Sequence, residues 1–358
     1  MRTAFYITVD DGYFGIGLAQ ARRLRKLWQI DVHVFVEGAG GVERDSSGND
    51  GIFLHRNLMQ GLIPDDLPST KNWPRIVYGR IFAPYVMPQY DRLIYIDADV
   101  FPLTAAPAVL GMDLPGGIAA VQDGSTIGGA PHSVGLSRDA WRRGIGLEST
   151  RYFNAGVMLI DHATWIATDF RSALVQFMET YGAQAKMQDQ DFLNHHFQGR
   201  WRELSPRFNF QKAHFNYGYE PLFPPVFLHF SSFQKPWLKP DNPDSVHGQF
   251  FPIYQEMFAQ AGIDYRDYLK KRRESAVRRL RTDIRYRLSM LGVKTSKEAR
   301  QRKEWQVKSQ AIFEQFCDDG RAQRYADMGF ALTQKPEPQL SFDGRYLRRA
   351  LDVSYDPV

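Results

Sequence analysis

The 358-residue sequence predicts an α/β fold, in which short buried strands alternate with helices. Residues 3–36 run in the order strand, glycine-containing turn, helix and strand, which is the order of a βαβ unit. Residues 92–96 form an apolar run rich in β-branched and aromatic side chains, as expected of a strand buried on both faces. Apolar runs at 117–123 and 152–161 predict two further strands.

The composition, with 43% hydrophobic and 24% charged residues, is ordinary for a globular protein, and the length suits one large domain with an appendage. A single cysteine, Cys317, excludes an internal disulfide and a multi-cysteine zinc site. The apolar run at 3–9 is too short for a secretory signal or a membrane span, and no other apolar stretch reaches spanning length. We therefore expect a cytoplasmic protein.

The βαβ unit combines a strand over 3–9, a helix over 18–28 and a strand over 32–36, an order typical of nucleotide-binding sheets. The turn between the first strand and the helix contains two adjacent acids, Asp10 and Asp11. Acids at this position suit hydrogen bonds to a base or a ribose, whereas they would crowd a pyrophosphate with negative charge.

Two interpretations of this turn stay open. Gly15, Gly17 and the acid Glu37 partly imitate a dinucleotide-binding fingerprint, but Gln20 occupies the position of its final glycine. Alternatively, Tyr13 stacks on a nucleotide base, unless it is an ordinary loop aromatic.

Two loops, a short strand and a helix precede the strand at 92–96. Residues 38–51 and 64–74 have the composition of loops, and 52–54 is a short strand between them. A helix is predicted over 73–86, and it carries Arg80 in an apolar neighbourhood. A guanidinium there can brace carboxylates or bind a phosphate, although it is also compatible with a surface helix.

The strand at 92–96 ends in two carboxylates. Side chains alternate along an extended backbone, so we expect Asp97 and Asp99 to point to the same side at the carboxyl end of the strand. Ala98 between them leaves room for a ligand. In open α/β sheets ligands bind at this edge, so the pair predicts a cation site; the alternative is a solvated turn with two acids.

Polar residues recur where later elements begin or end. Asp123 ends the next strand and precedes a glycine-rich loop at 124–135, after which Ser137 caps a helix. Asn154 lies among small residues that let the backbone approach a ligand closely.

An amphipathic helix over 165–184 is followed by Asp189, Gln190 and Asp191, which open another helix. At a helix start, the unpaired backbone N–H groups and these side chains face one site, although acids there are also plain capping residues. Further along, His229 ends an apolar run in an aromatic region, where a histidine is more often a core residue than a ligand.

Seven blocks, in this order, resemble glycosyltransferase family 8, the retaining nucleotide-sugar transferases. They are TVDDGY at 8–13, YGR at 78–80, YIDAD at 95–99, FNAGV at 153–157, QDQDFLN at 188–194, RFN at 207–209, and His229-Phe230 through Lys235-Pro236-Trp237. Each block is weak alone, but seven in order are specific. The resemblance implies a GT-A fold, a Rossmann-like mixed β-sheet flanked by helices.

The resemblance also implies roles for individual residues. It places a divalent ion, Mn²⁺ or Mg²⁺, on Asp97, Asp99 and His229, where it bridges the diphosphate of a UDP-sugar. The other implied residues are Asp10, Asp11, Tyr13, Arg80, Ala98, Asn154 and Lys235 for the donor, Asp123 at the acceptor side, and Gln190, Asp189 and Asp191 for catalysis. Because an amide is a poor nucleophile, we favour front-face attack by the acceptor hydroxyl, with double displacement through Asp191 as the alternative.

The carboxyl-terminal part is strongly basic. Residues 265–308 contain sixteen lysines and arginines against five acids. An apolar stripe recurs through them at helical spacing: Tyr265, Leu269, Ala276, Leu280, Ile284, Leu288 and Leu291. Such a basic amphipathic helix suits an anionic membrane surface, unless its stripe packs on the catalytic domain; nucleic acid is not expected as a partner.

The sequence therefore predicts three regions: a GT-A domain at 1–262, the basic helical extension at 263–310, and an appendage of unknown role at 311–358. The expected function is metal-dependent retaining transfer of a hexose from a UDP-sugar to a saccharide or glycolipid of the lipopolysaccharide type, in the cytoplasm or at the inner face of the membrane. Two alternatives are an NAD(P)-binding oxidoreductase and a non-catalytic saccharide-binding protein of the same fold.

Overall fold

The computed structural model describes residues 1–41, 43–44, 50–69, 74–124, 138–211, 214, 219–220, 223–231, 235–240 and 243–264, with isolated positions between 266 and 350. Most of the predicted loop at 124–135, Ser137, and much of the basic extension lie outside these residues. The described residues up to Leu204 form one compact unit, and those from Ser205 onward form another. The predicted regional boundaries at 262 and 310 stay predictions.

The first unit is built on an eight-stranded mixed sheet. Its strands are β1 (Thr3–Asp10), β2 (Asp31–Glu37), β3 (Glu43–Arg44), β4 (Ile52–Arg56), β5 (Arg92–Ile96), β7 (Ile118–Gln122), β8 (Phe153–Asp161) and β9 (Arg202–Glu203), and a short strand β6 (Val100–Pro102) follows β5. The order is β3-β4-β2-β1-β5-β8-β7-β9. Strands β4, β2, β1 and β5 are parallel, whereas β8 is antiparallel to both β5 and β7.

Six helices accompany this sheet in the described part of the unit: α1 (Phe14–Trp28), α2 (Gly79–Phe82), α3 (Arg138–Gly144), α4 (His162–Ile166), α5 (Phe170–Tyr181) and α6 (Asp189–His196). The central strands β1, β5 and β7 are buried along nearly their whole length, which explains their continuous apolar runs. The predicted α/β class, with a mixed sheet flanked by helices, is confirmed.

Three predicted helices have different bounds. Helix α1 begins at Phe14 rather than residue 18. The helix predicted over 73–86 is instead, in its described part from 74 onward, a short α-helix between two 3₁₀ turns. The second turn follows α2 because Pro84 lacks the N–H that a continuing α-helix needs. The helix predicted over 165–184 is two helices, α4 and α5, which start separately because Asp161 and Asp169 cap them through the backbone N–H groups of Thr164 and Ser172.

In the second unit, two short parallel strands, β10 (Phe210–Gln211) and β11 (Phe227–His229), precede helix α7 (Val246–Gln260). Ser245 caps α7 by accepting a hydrogen bond from the N–H of Gly248. In the described part of the chain, no helix combines the length and the apolar character needed to cross a membrane.

The stability of the first unit should depend on pH through His196, which lies in the last turn of α6 against the rings of Phe170, Phe192 and Phe197. Burial lowers the pKa of His196 from 6.5 to about 4, and the charges of Arg200 and His195 add to this effect. A histidine that prefers its neutral form in the folded state stabilises the protein fully above pH 6.5, and this contribution is lost as the pH falls toward 4.

We expect the free energy of unfolding of the wild type to fall by at most about 3 kcal/mol between pH 7.5 and pH 4, relative to a His196→Gln variant, since each pH unit between the two pKa values corresponds to about 1.4 kcal/mol. Urea unfolding of both proteins at several pH values measures this difference. The same pH dependence in both proteins would contradict it.

Candidate functional site

The two aspartates lie in a turn and not on a strand. Strand β5 ends at Ile96, and the N–H of Val100 donates to the carbonyl of Asp97 at 3.0 Å, which closes the turn. The prediction that Asp97 and Asp99 point to the same side because side chains alternate along a strand is therefore wrong in its reason. The turn itself brings the pair together, since carboxylate oxygens of Asp97 and Asp99 lie within 4.8 Å of each other. Both side chains, and Ala98 between them, are half-buried.

Asp97 is oriented by two donors that bind the same oxygen. The hydroxyl of Tyr95 donates to Oδ1 at 2.6 Å, and Nη2 of Arg80 donates to it at 3.0 Å. The guanidinium of Arg80 also lies over the ring of Tyr95, 4.8 Å from its centre. The sequence did not assign Tyr95 a role, although it stands two residues before Asp97 on β5.

Arg80 connects this turn to the start of α6. Its side chain is only 10% exposed, and its Nε lies 2.9 Å from Oδ2 of Asp189. The single Nε hydrogen is donated to the carbonyl of Val77, and Nη1 donates to the carbonyl of Ala155, so the contact with Asp189 is an ion pair without a directed hydrogen bond. Burial by itself would lower the pKa of Arg80, but Asp189 and Asp97 raise it above its ordinary value.

Asp189 follows a residue with a strained backbone conformation. Burial raises the pKa of Asp189 to about 6, although Arg80 lowers it and Asp97 raises it further. The preceding residue, Gln188, has φ 42° and ψ −104°, a conformation that residues other than glycine rarely adopt. The hydroxyl of Tyr78, which has the carbonyl of Pro68 as its nearer acceptor at 3.0 Å, lies 3.2 Å from Oε1 of Gln188. No sequence pattern indicated this strain.

The amide of Gln190 has a defined orientation. The backbone N–H of Ala155 can only donate, so it sets Oε1 of Gln190 as the acceptor at 3.0 Å. Nε2 then donates to the carboxylate of Asp123 at 3.2 Å and to the hydroxyl of Tyr152 at 3.1 Å. Asn154 donates to the same oxygen of Asp123 at 3.1 Å, so the carboxylate joins both amides.

Asp191 is fully buried and stabilises the turn that precedes its own helix. Its Oδ1 accepts a hydrogen bond from the hydroxyl of Tyr152 at 2.6 Å, and its Oδ2 accepts from the backbone N–H groups of Lys186 and Met187. Burial raises the pKa of Asp191 to about 6, although these hydrogen bonds lower it. The side chain therefore holds the turn that precedes α6.

The predicted base-binding residues form a separate group after β1. Asp10 accepts a hydrogen bond from the N–H of Tyr13, whose side chain is exposed. Asp11 pairs with Arg56 at 2.8 Å and accepts a hydrogen bond from the N–H of Ala39. Sequence inspection missed Arg56 because it lies on β4, forty-five positions away, with no motif around it.

His229 and Lys235 belong to the second unit. Nδ1 of the buried His229 lies 2.9 Å from Oδ1 of Asn209, an oxygen that only accepts, so Nδ1 carries a proton and, in the neutral ring, Nε2 carries the lone pair. Lys235 donates to the carbonyl of Phe230 at 3.1 Å. The grouping of these two residues with Asp97 and Asp99 stays a prediction.

The first unit thus gathers six of the predicted residues into one polar network of two side-chain clusters, which meet at the backbone of Ala155. One cluster is Arg80, Asp97 and Asp189, and the other is Asp123, Asn154 and Gln190. The network lies near the end of β5, the beginning of β8 and the start of α6. Its carboxylates, amides and guanidinium are suited to binding a polar ligand and a cation, but they include no strong nucleophile such as a serine or cysteine with an adjacent base.

A family model described as glycosyl transferase family 8 matches residues 44–241, more than half of the chain. The chain belongs to this family, which confirms the resemblance found in the sequence. It is 29% identical over 184 residues to the lipopolysaccharide 1,3-galactosyltransferase of Salmonella typhimurium, covering 48% of this chain and 52% of that protein. It is 28% identical over 184 residues to the lipopolysaccharide 1,2-glucosyltransferase of Escherichia coli, with the same two shares.

Among solved structures, the chain is similar to the galactosyltransferase LgtC in complex with donor and acceptor sugar analogues. The TM-score is 0.50 at 23% identity, over 66% of this chain and 89% of LgtC. An active-site mutant of LgtC gives 0.52 at 22% identity over the same shares. These likenesses support the GT-A fold. The chain spans 42%, 52% and 36% of the length of three curated relatives that it matches.

The charge balance around Arg80 can be tested by a double-mutant cycle. An Arg80→Met change leaves the carboxylate of Asp189 buried beside Asp97 without its counter-charge, and we expect it to lower the free energy of unfolding by about 3–5 kcal/mol. Adding Asp189→Asn should recover a large part of this loss, because a neutral amide needs no counter-charge.

Urea unfolding measures the cycle, with Arg143→Met, an exposed arginine of α3, as the matched control that should change stability by less than about 0.5 kcal/mol. Strictly additive effects of the two changes would show that the ion pair does not couple them.

Proposed function

We propose that this protein is a metal-dependent, retaining glycosyltransferase that moves a hexose from a UDP-sugar to a hydroxyl of a saccharide or glycolipid acceptor. The observation that carries this proposal is the Asp97–Asp99 pair, which is joined through Arg80 to Asp189 in a family 8 chain. The names of the relatives, a galactosyltransferase and a glucosyltransferase for lipopolysaccharide, favour a hexose and a lipopolysaccharide-like acceptor.

The cation would be held by Asp97, Asp99 and His229. Carboxylate and imidazole ligands suit Mn²⁺, with Mg²⁺ as the alternative. The proton on Nδ1 of His229, which the oxygen of Asn209 favours, leaves the lone pair on Nε2 for coordination, so the chemistry of the donor set fits a metal. When bound, the cation would act as a Lewis acid toward the departing diphosphate.

The donor would lie along the carboxyl edge of the sheet. Asp11 and the exposed ring of Tyr13 would bind the uridine, with Asp10 holding the turn through the N–H of Tyr13. Arg56, which pairs with Asp11, would neutralise the charge there. Lys235 would add positive charge at the diphosphate, and Ala98 leaves space between the two aspartates.

The donor sugar would lie against Arg80, Asn154, Asp189 and Gln190, with Asp123 toward the acceptor. The acceptor hydroxyl attacks the anomeric carbon from the face on which UDP departs. The bond from that carbon to the diphosphate oxygen breaks, the new glycosidic bond forms, and the departing phosphate oxygen accepts the hydroxyl proton. Retention of configuration follows because both bonds lie on the same face.

The contacts of the acidic residues favour this front-face route over double displacement. Asp191 is fully buried, and both of its oxygens accept hydrogen bonds from Tyr152 and from the turn before α6. Gln190 has its oxygen on the N–H of Ala155. We therefore propose that Asp191 positions α6 and that Gln190 orients the sugar, with neither forming a covalent intermediate.

Incubation with a panel of UDP-sugars and Mn²⁺ should release UDP, and a chelator should abolish the release. Asp97→Asn and Asp99→Asn variants should each lose at least about a hundredfold in rate, or about 2.7 kcal/mol of transition-state stabilisation, because the cation loses a charged ligand. The matched control is Asp66→Asn, an exposed carboxylate that should retain full activity.

Absence of UDP release with every sugar would refute the catalytic proposal. UDP-sugar binding without turnover would support the non-catalytic alternative, and NAD(P) binding that is insensitive to Asp97→Asn would support the oxidoreductase. NMR of the glycosidic linkage in the product would test retention.

We also propose that the basic extension binds an anionic membrane surface. The stripe residues that the structure describes as helical are exposed: Leu280 by 61%, Ile284 by 49% and Leu288 by 39%, with Leu291 at 78% in the turn that follows. Exposed apolar side chains among many lysines and arginines are the pattern of a helix that lies in a lipid interface, and each basic residue near anionic lipid contributes roughly 1 kcal/mol.

Flotation of the full chain with vesicles should therefore require anionic phosphatidylglycerol and fail with phosphatidylcholine alone. A variant combining Leu280→Gln, Ile284→Gln and Leu288→Gln should lose at least about tenfold in bound fraction, because the apolar face no longer inserts. Ile166→Gln, another exposed apolar side chain, is the matched control. Unchanged flotation of the triple variant would remove the membrane assignment.

A further inference from the structure

Two polar side chains of α1 are buried against the segment that carries the aspartate pair. Gln20 and Arg23 are three positions apart on one face of the helix, and each residue is only 2% exposed. Burying an amide or a guanidinium is unfavourable unless it gains hydrogen bonds, so polar residues on the buried face of a helix call for a specific reason.

Gln20 holds both ends of the Asp97–Val100 turn. Its Nε2 donates to the carbonyl of Asp97 at 2.9 Å and to the carbonyl of Val100 at 2.6 Å. The carbonyl of Asp97 also accepts the hydrogen bond from the N–H of Val100 that closes the turn. One amide group therefore ties together the first and last residues of a four-residue turn, and the turn cannot open without losing these contacts.

Arg23 extends the same support to the next residues. Its Nε donates to the carbonyl of Pro102 at 2.6 Å, and its guanidinium lies 4.3 Å from the centre of the Phe101 ring. Phe101 is fully buried, so the cation stacks on a ring that cannot move away. The two side chains of α1 thus contact a continuous segment, from Asp97 to Pro102.

We infer that Gln20 and Arg23 are positioning residues that keep the carboxylates of Asp97 and Asp99 in the arrangement that binds the divalent cation; the inference rests on the proposed metal-dependent function. Two carboxylates whose oxygens lie within 4.8 Å repel each other, and a turn without external support would relax to separate them.

The test is the affinity of the full chain for Mn²⁺, measured by calorimetry without any sugar nucleotide. Gln20→Met keeps the length of the side chain but removes its donors, and we expect Mn²⁺ binding to weaken about 10- to 100-fold, as is typical when the groups that orient metal ligands are lost. The urea midpoint should also fall, because two carbonyls lose a donor, but calorimetry measures the affinity of the folded protein. Gln20→Glu, which has the same shape but cannot donate when ionised, should weaken binding similarly, and Arg23→Met should weaken it as well.

Arg22→Met, on the same helix but off this face, is the matched control and should bind Mn²⁺ like the wild type. A role confined to stability would lower the urea midpoint and leave the affinity for Mn²⁺ unchanged, and that result would overturn the inference.

Hydrogen exchange separates this inference from the proposed function. If the amide of Gln20 holds the turn, the amide hydrogen of Val100 should exchange at least about tenfold faster in Gln20→Met than in Arg22→Met. If the wild type binds no Mn²⁺, the proposed metal dependence and the role in cation binding fail together, while faster exchange would still establish the support of the turn. If the wild type binds Mn²⁺ and the Gln20 variants bind it equally well, only this inference fails.

Discussion

The structure of the candidate site depends on one buried guanidinium. Arg80 is surrounded by Asp97, Asp189, the ring of Tyr95 and the carbonyl of Ala155, and it is the group through which the aspartate turn and the start of α6 are joined. Burial opposes its charge, yet the two carboxylates raise its pKa above the ordinary value. A buried guanidinium or carboxylate without a counter-charge would destabilise the fold, so Arg80 and the two carboxylates stabilise one another.

Around this ion pair, the backbone of β8 supplies rigidity. The N–H of Ala155 orients the amide of Gln190, and its carbonyl accepts from Arg80, so a single residue of a central strand contacts both this amide and the guanidinium. Asn154, one position earlier, reaches Asp123. Groups attached to a buried strand keep their geometry better than groups on loops.

Local patterns in the sequence were sufficient for the longer strands and for most of the polar residues, because apolar runs and motif blocks are properties of neighbouring positions. They did not predict β3, β6, β9 and β10, which are strands of two or three residues. They were less reliable where tertiary contacts override them. The segment at 73–86 has apolar helical character, yet Pro84 prevents α2 from continuing as an α-helix. Asp97 and Asp99 were found, but for the wrong reason, since a turn closed by Val100 replaces the expected strand geometry.

By itself, the sequence determined the α/β class, the family resemblance and most of the residues in the polar network, since each follows from short-range pattern and order. Tertiary structure alone decided which of them touch. The ion pair of Arg80 with Asp189 spans more than a hundred positions, and the bond from Gln20 to the carbonyl of Asp97 spans 77. Such contacts depend on how strands and helices pack, and a pattern of neighbouring residues does not show which residues far apart in the sequence come into contact.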